Sequence, residues 1–285
     1  MDPERDLNFP SGEWVDRLVA QALAEDLGKG DATTAVSVAE ETLATGSVVS
    51  RDAGVVAGLP LLALVFGQLD PRVRVDLVLE DGAPVEPGSV AARLTGPAGS
   101  ILSGERVALN FLQHLGGIAS LTARYVVEVA GTACRVLDTR KTLPGYRTLA
   151  KYAVRCGGGH NHREDLSSAV LIKDNHIAAA GGLTQAVRRA REYAPHTCRV
   201  ECEVDSQEHL EEAMAAGVDI VMLDNFSDAQ VQDAVAFIDA RAIIEVSGGI
   251  TLERIPVLAE LGADVISVGA LTHSSPSCDL GLDWS

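Results

Sequence analysis

From about residue 133 onward the chain alternates short apolar segments with helical ones. CRVLD, AVLIK, RVECEV, IVMLD, AIIEVS and DVISVG are separated by YRTLAKYAVRC, LTQAVRRAREY, SQEHLEEAMAAG, SDAQVQDAVAFID and LERIPVLAELG. Six β–α units in a row constrain the fold more than any other feature, because parallel strands need crossover connections and bury both faces beneath them. The steady recurrence of the later strands points to a shortened or open TIM-type barrel, with a doubly wound sheet as the second reading. The glycine fingerprint of a dinucleotide fold is absent, since Gly157-Gly158-Gly159 precedes a strand and does not open a helix after one.

The first part of the chain reads differently. WVDRLVAQALAEDL (residues 14–27) has apolar positions at helical spacing. Short strands and turns follow in ATGSVVSRDAGVVAG and VRVDLVLEDGAPVEPGSVAARLTG, where Asp81-Gly82 and Pro87-Gly88 mark turns. Ser103 or Gly104 starts a helix carrying Glu105, Arg106, Leu109 and Leu112, and SLTARYVVEVAG continues the helical pattern.

Charge narrows the function. The formal net charge is −17, which argues against general nucleic-acid or anionic-membrane binding, since both need a basic face. Against that background Arg135 to His176 holds eight Lys/Arg to four Asp/Glu, with three of the seven histidines. A local basic cluster in an acidic chain calls for an anionic small molecule. The opening MDPERDLNFP has no apolar core and reads as lacking a signal peptide. The longest uncharged run, Ala53 to Leu69, is 17 residues and is broken by Gly58, Pro60 and Gly67, short of the roughly 20 apolar residues of a spanning helix. Five cysteines without a C-x-x-C pair suit a reduced cytoplasmic protein. His196, Cys198 and Cys202 read as strand and core positions rather than a metal site.

In parallel α/β folds function gathers where the strands end. The six ends carry Asp138-Thr139-Arg140-Lys141, Lys173-Asp174-Asn175-His176, Glu203, Asp224-Asn225, Ser247-Gly248-Gly249 and Gly269. Cations sit on the first two strands, acids on the next two and glycines on the last. Arg grips carboxylate or phosphate bidentately while Lys acts as a point charge. Glu203 and Asp224, on neighbouring strands, suit Mg²⁺, which takes oxygen ligands and leaves positions for substrate phosphates. The Ser247-Gly248-Gly249 turn and Gly269 let a phosphate approach backbone N–H groups. This set describes a phosphorylated sugar with a magnesium-bridged diphosphate and an anionic co-substrate.

Plainer readings stand beside these. Glu201 and Glu203 share one face of RVECEV, so one or both acids enter the sheet's interior, where a salt bridge to Lys173 or Lys141 is the structural alternative. Arg147, Lys151 and Arg155 recur at i, i+4 and read as a solvated or ion-paired helix face. His160 and His162 flank Asn161, and either orienting a substrate or a structural role fits them. The EDGAPVEPGSVAARLTG stretch resembles the hairpin of a swinging-arm carrier domain, but no lysine occurs between Lys29 and Lys141 to carry a cofactor.

DTRKTLPGYRTLAKYAVRCGGGHNHREDLSSAVLIKDNH, with ECEVDS, MLDNF, SGGI and SVGALTHS, resembles the quinolinate phosphoribosyltransferase family. EDLGKGDATT and LSGERVALNFLQHLGGIAS extend the resemblance over nearly the whole chain. It implies an α/β protein with an N-terminal α/β sandwich over residues 1–115. A C-terminal open, six-stranded TIM-like barrel would span 116–274, with a tail at 275–285 that packs back on the first domain. It implies phosphoribosyl transfer from 5-phosphoribosyl 1-diphosphate (PRPP) to quinolinate in NAD synthesis, with Mg²⁺, in a cytoplasmic homodimer.

By motif, Arg140, Arg163 and Lys173 hold quinolinate with His162 beside them, and Arg106 arrives from the partner subunit. Lys141, Glu203, Asp224, Ser247, Gly248, Gly249 and Gly269 serve PRPP and its metal, with Glu203 and Asp224 as metal ligands. Thr139, Val268 and Ala270 complete the substrate set, and Lys141, Glu203 and Asp224 are the expected catalytic residues. A same-fold paralogue of molybdenum-operon type, acting on another base, is the alternative. One departure is Glu164-Asp165 after Arg163, where relatives usually carry an apolar Leu. The two acids either weaken the grip of Arg163 on a dianion or point to solvent, and solvent is the expectation.

Overall fold

Helical spacing in the first part of the chain becomes helices wherever it gives one apolar stripe. The computed structural model describes residues 7–284, so the opening MDPERD, read above for its lack of a signal segment, and Ser285 lie outside the described residues. The chain divides into two units. One combines the chain up to Ala123 with Pro144–Gly158 and the stretch from Ser274, and the other combines Arg124–Leu143 with Gly159–His273. The expected boundary at 115/116 falls inside a continuous helix.

In the first unit α1 (Glu13–Leu27) buries Val15, Val19 and Leu23, a stripe at i, i+4 and i+8. Asp31 then caps α2 (Ala32–Ser37) by accepting the Thr34 N–H at 3.0 Å. β1 (Leu43–Ser50), β2 (Gly54–Val55), α3 (Pro60–Leu69), β3 (Arg74–Leu77), β4 (Pro84–Val85), β5 (Val90–Pro97) and the 30-residue α4 (Ala98–Val127) follow. β1, β5 and β3 form an antiparallel sheet, and the C-terminal strand Leu280–Trp284 pairs with the free side of β1. Val48, Leu94 and Leu282 of this sheet meet Leu62 and Phe66 of α3 and Ala108 and Leu109 of α4. The sheet is thereby covered on one face by helices, and each such large side chain taken out of water contributes roughly 1.5–3 kcal/mol.

α5 (Arg147–Cys156) corrects one expectation. Helical spacing suggested a solvated basic face, yet Lys151 is 1% exposed and lies among buried Leu149, Tyr152 and Val154. None of Arg147, Lys151 and Arg155 is without a partner, and the Arg155 guanidinium lies 5.5 Å from the centre of the Tyr152 ring. Spacing shows that residues share a face but not what packs against it. Tyr152 anchors the helix by donating its hydroxyl to Asp81 Oδ2 at 2.6 Å, while Asp81 also accepts the Leu59 N–H. Burial raises the Asp81 pKa above the ordinary carboxylate value.

The second unit holds β6 (Arg135–Leu137), β7 (Val170–Ile172), α6 (Asp174–Ala180), α7 (Leu183–Tyr193), β8 (Val200–Val204), α8 (Gln207–Ala216), β9 (Ile220–Asp224), α9 (Asp228–Ile238), β10 (Ile243–Ser247), α10 (Ile255–Leu261), β11 (Val265–Ser267) and α11 (Ala270–His273). All six strands are parallel, in the order β6-β11-β10-β9-β8-β7. The first strand therefore lies beside the last. The order runs through the chain without the mid-sheet reversal of a doubly wound fold, which removes that second reading. Asp219 and Asp264 repeat one local device at the strand starts, accepting the N–H groups of Val200 and Ile244 at 2.7 and 2.8 Å.

β6 and β7 form the sheet's two ends. Along the open edge of β6, the His160 N–H donates to Val136 O at 2.9 Å and His160 O accepts the Asp138 N–H at 3.1 Å. A short segment after Gly159 thus continues the ladder. Among the described residues no helix is long and apolar enough to cross a membrane.

Candidate active site

Parallel register decides which side chains meet. Ser247 lies beside Asp224, Glu203 beside Met222, and Ser267 beside Leu137. Thr139, Arg140 and Lys141 follow β6, Lys173 follows β7, and His162 and Arg163 come from the edge segment. With Glu203, Asp224 and Ser247 these line a cavity of about 400 Å³, joined by Leu171, Met222 and Ser267. A second cavity of about 440 Å³ shares Thr139, Lys141, Ser247 and Ser267 with the first. It adds the turns Gly248–Thr251 and Val268–Ala270 together with His273. Arg106 lies exposed on α4 in the first unit.

A buried carboxylate builds the first corner. Asp138 is 0% exposed. It accepts the side-chain amide of Asn161 and, at 2.9 Å, the His162 N–H. That contact turns His162 and Arg163 inward, where Arg163 Nη1 donates to Ala169 O at 3.2 Å. Burial lowers the Arg163 pKa, and the like charge of Arg140 lowers it further. Arg140 Nε is itself buried without a hydrogen-bond partner. Around the first cavity stand Arg140, Lys141, Arg163 and Lys173 against only Glu203 and Asp224. Two adjacent guanidiniums with no acid between them are costly unless an anion completes them.

Glu203 is ion-paired with Lys173, the alternative weighed for the acids of β8. The pair lies within the cavity wall, and Lys173 is still 39% exposed there. Asp224 accepts from Asn225 Nδ2 at 2.8 Å. Asn225 adopts φ 58°, a left-handed conformation that Asn tolerates better than most residues. Gly248 packs against it, with φ +88°, where a Cβ would stand 2.6 Å from Asn225 Cγ and 2.8 Å from its N. Val268 lines the second cavity, but its N–H is used by the sheet, donating to Leu137 O at 2.9 Å.

Below the first cavity Glu201 and Glu245 are buried, at 4% and 3% exposure. Their carboxylates lie 3.6 and 3.5 Å from His162 Nε2. This is the only cluster of three potential metal ligands among the described residues, so His196, Cys198 and Cys202 do not converge. His162 Nδ1 accepts the Arg163 N–H at 2.7 Å while Nε2 faces the two acids, so the cluster is read as an imidazole held by two acids. Burial alone would lower the His162 pKa, but its contacts with Glu201 and Glu245 outweigh this and raise it to about 9. Burial raises the Glu201 pKa.

Several of these residues escaped the sequence. Asp138 was visible at a strand end, but its role depends on Asn161 and His162 across a long connection. Glu245 shares its strand face with Ser247, so alternation carried the signal for it. Ser267 lies two residues before Gly269, the end of DVISVG that the sequence singles out. In the loop after Arg163, Asp165 is exposed and accepts from Ser167 and Ser168, which accords with solvent for one of the two acids, while Glu164 is half-buried.

A cation-rich cavity joined to a glycine-walled one at the ends of parallel strands defines an enzyme that handles polyanionic substrates. Residues 31–116 match the description "Quinolinate phosphoribosyl transferase, N-terminal domain", and residues 118–283 match "Quinolinate phosphoribosyl transferase, C-terminal domain". The chain belongs to the quinolinate phosphoribosyl transferase family, enzymes of the pentosyltransferase class. It is 44% identical over 272 residues to a nicotinate-nucleotide pyrophosphorylase [carboxylating] of Mycobacterium leprae, covering 93% of this chain and 95% of the relative. A probable enzyme of the same name from Bacillus subtilis is 42% identical, covering 94% and 92%. Among solved structures, the nicotinate-nucleotide pyrophosphorylase of Francisella tularensis superposes with a TM-score of 0.93 at 40% identity, covering 99% of each chain. NadC of Streptococcus pyogenes gives 0.91 at 43%, covering 98% and 99%.

Gly248→Ala is expected to lower stability more than Gly249→Ala, by about 1–3 kcal/mol. Both positions have positive φ, but a Cβ at Gly249 meets nothing within 4 Å. Urea denaturation of the two variants measures the difference, and equal midpoints would remove the Asn225 contact as its cause.

Proposed function

We infer that the protein transfers the phosphoribosyl group of PRPP to quinolinate with loss of CO₂, giving nicotinate mononucleotide and diphosphate. The observation that carries this reading is the grouping of Arg140, whose Nε is buried without a partner, with Arg163 and Lys173 in a cavity that adjoins glycine turns. A pyridine bearing two adjacent carboxylates supplies the paired negative charge that such a cavity lacks. The relatives' names, with their qualifier "carboxylating", favour this reaction over a paralogue acting on another base.

The six strands are read as a barrel with one open seam between β6 and β7, since the first strand pairs with the last. The N-terminal sheet and helices are read as a sandwich. Arg140, Arg163 and Lys173 bind the two quinolinate carboxylates and fix the ring nitrogen toward the ribose. His162 borders that site, with its ring nitrogens occupied by protein groups. Lys141, Ser247, Gly248, Gly249, Gly269 and Ala270 hold the phosphates of PRPP, with Thr139 and Val268 shaping the wall.

Breaking the bond from ribose C1 to diphosphate leaves positive charge on the sugar and negative charge on the departing group. Lys141 offsets the second, and the carboxylates of Glu203 and Asp224 face the first. The ring nitrogen then bonds to C1 and becomes cationic. When the neighbouring carboxylate leaves as CO₂, its electron pair stays on ring carbon 2, stabilised by the adjacent positive nitrogen, and takes up a proton from water. That stabilisation belongs to the substrate.

Glu203 and Asp224 fit Mg²⁺ by donor type. They are hard oxygen ligands on adjacent strands, with no nitrogen or sulfur among them, and a magnesium site of this kind takes its remaining ligands from water and phosphate. Bound there, the ion would neutralise charge on the diphosphate. In a ligand-free chain Lys173 occupies Glu203, so substrate binding exchanges that partner for a quinolinate carboxylate. We also place the protein in the cytoplasm as a homodimer in which Arg106 completes the quinolinate site of the partner subunit.

Incubation with quinolinate, PRPP and Mg²⁺ is expected to yield nicotinate mononucleotide by mass spectrometry, and EDTA is expected to abolish it. Product from nicotinate alone would overturn the dicarboxylate reading. Arg140→Ala should raise the KM for quinolinate roughly tenfold or more while leaving that for PRPP near its original value. Equal losses for both substrates would refute the assignment. Mixing an Arg106→Ala protein with a Lys173→Ala protein should restore activity through one intact site per hybrid dimer. No recovery after demonstrated subunit exchange would sink the shared site.

A further inference from the structure

Ser267 ends β11 and is 3% exposed, and its Oγ has no hydrogen-bond partner. A hydroxyl buried without a partner loses its bond to water and gains nothing in exchange. Alanine would fill the same space without that cost, so packing does not account for a serine here. The position of this hydroxyl is specific. Ser267 pairs with Leu137 of β6, and continuing the β10–β11 register sets it beside Ser247. It lies on the wall common to both cavities.

Of its neighbours on that shared wall, Thr139 is committed and Lys141 is of another kind, while Ser247 beside it is a second hydroxyl. Thr139 Oγ1 accepts the Lys141 N–H at 3.1 Å, and Lys141 presents a charge without fixed direction. The first cavity is walled by cations suited to a dianion, and the second by glycine turns suited to phosphate. A ligand that spans both must carry its uncharged middle across the junction. In PRPP that middle is the ribose, whose hydroxyls both donate and accept, as a serine hydroxyl does.

Resting on the reading given under Proposed function, we propose that Ser267 is a substrate-contact residue whose hydroxyl hydrogen-bonds a ribose hydroxyl of PRPP at the junction of the two cavities. The hydroxyl is left unsatisfied in the free protein and is completed by the sugar. Stability is thereby given up for binding at this position.

The test compares the wild type with Ser267→Ala, using the full chain. Calorimetry measures Kd for PRPP, ribose 5-phosphate and diphosphate, each with Mg²⁺, and a thermal scan measures the ligand-free midpoint. The alanine variant is expected to be at least as heat-stable as the wild type. Its Kd for PRPP and for ribose 5-phosphate should rise roughly three- to tenfold, with diphosphate unchanged. A lower midpoint would make the hydroxyl structural, unchanged Kd values would deny the contact, and equal weakening of diphosphate would move it off the ribose. Each of these overturns the proposal. A wild type that binds PRPP without converting quinolinate would refute the proposed reaction, while the Kd comparison would still decide Ser267. A wild type that binds neither PRPP nor ribose 5-phosphate would overturn both.

Discussion

The buried carboxylate of Asp138 holds the candidate site together. It stands where β6 ends, fully enclosed, and accepts from the Asn161 amide and the His162 backbone. Without an acceptor there, the segment that runs along the open edge of β6 would lose its register. Leaving a buried group of this kind unsatisfied typically costs about 1–3 kcal/mol. Three further positions depend on it. Arg140 lies two residues after Asp138, His162 is held by its backbone, and Arg163 follows His162 with its own N–H donated to His162 Nδ1. One acid thus helps to orient the cationic wall through Asn161 and His162.

The same economy governs the rest of the cavity. Arg140 and Arg163 repel each other, and burial weakens the hold of Arg163 on its proton. Glu201 and Glu245 lie against His162, and the charge of Glu201 offsets only part of the effect at Arg163. Only Lys173 has an acid of its own, Glu203. The free protein therefore retains an electrostatic demand that an anionic ligand satisfies, and the cavity is preorganised because no large rearrangement of charge must precede binding. Backbone strain belongs to the same pattern. Asn225 holds a left-handed conformation beside Asp224, and Gly248 is the residue that leaves room for it. Such conformations persist where the surrounding packing over-determines them, and they cluster at sites.

The alternation of six apolar strands with amphipathic helices was legible because each signal is local: period and length within a dozen residues. Strand ends marked the site for the same reason, since Arg140, Lys173, Glu203, Asp224 and Ser247 each follow an apolar run directly. Lys151 is buried where a solvated face was one of two expectations, because helical spacing cannot say which face meets the protein. Asp138, Glu245 and Ser267 were unassigned because their meaning depends on what lies across the sheet. Glu245 is an ordinary strand acid until His162 is brought to it from eighty residues earlier.

The sequence by itself determined the class of fold, the separation of cations, acids and glycines among strand ends, and the family, because periodicity and motif spacing are written along one dimension. Pairing of the first strand with the last, the diversion of Glu201 and Glu245 to His162, and the partnerless hydroxyl of Ser267 were decided only by the tertiary structure. Each of these depends on which strands become neighbours and in what register, and a parallel sheet sets that through crossover geometry and burial of both faces, not through any one segment's residues.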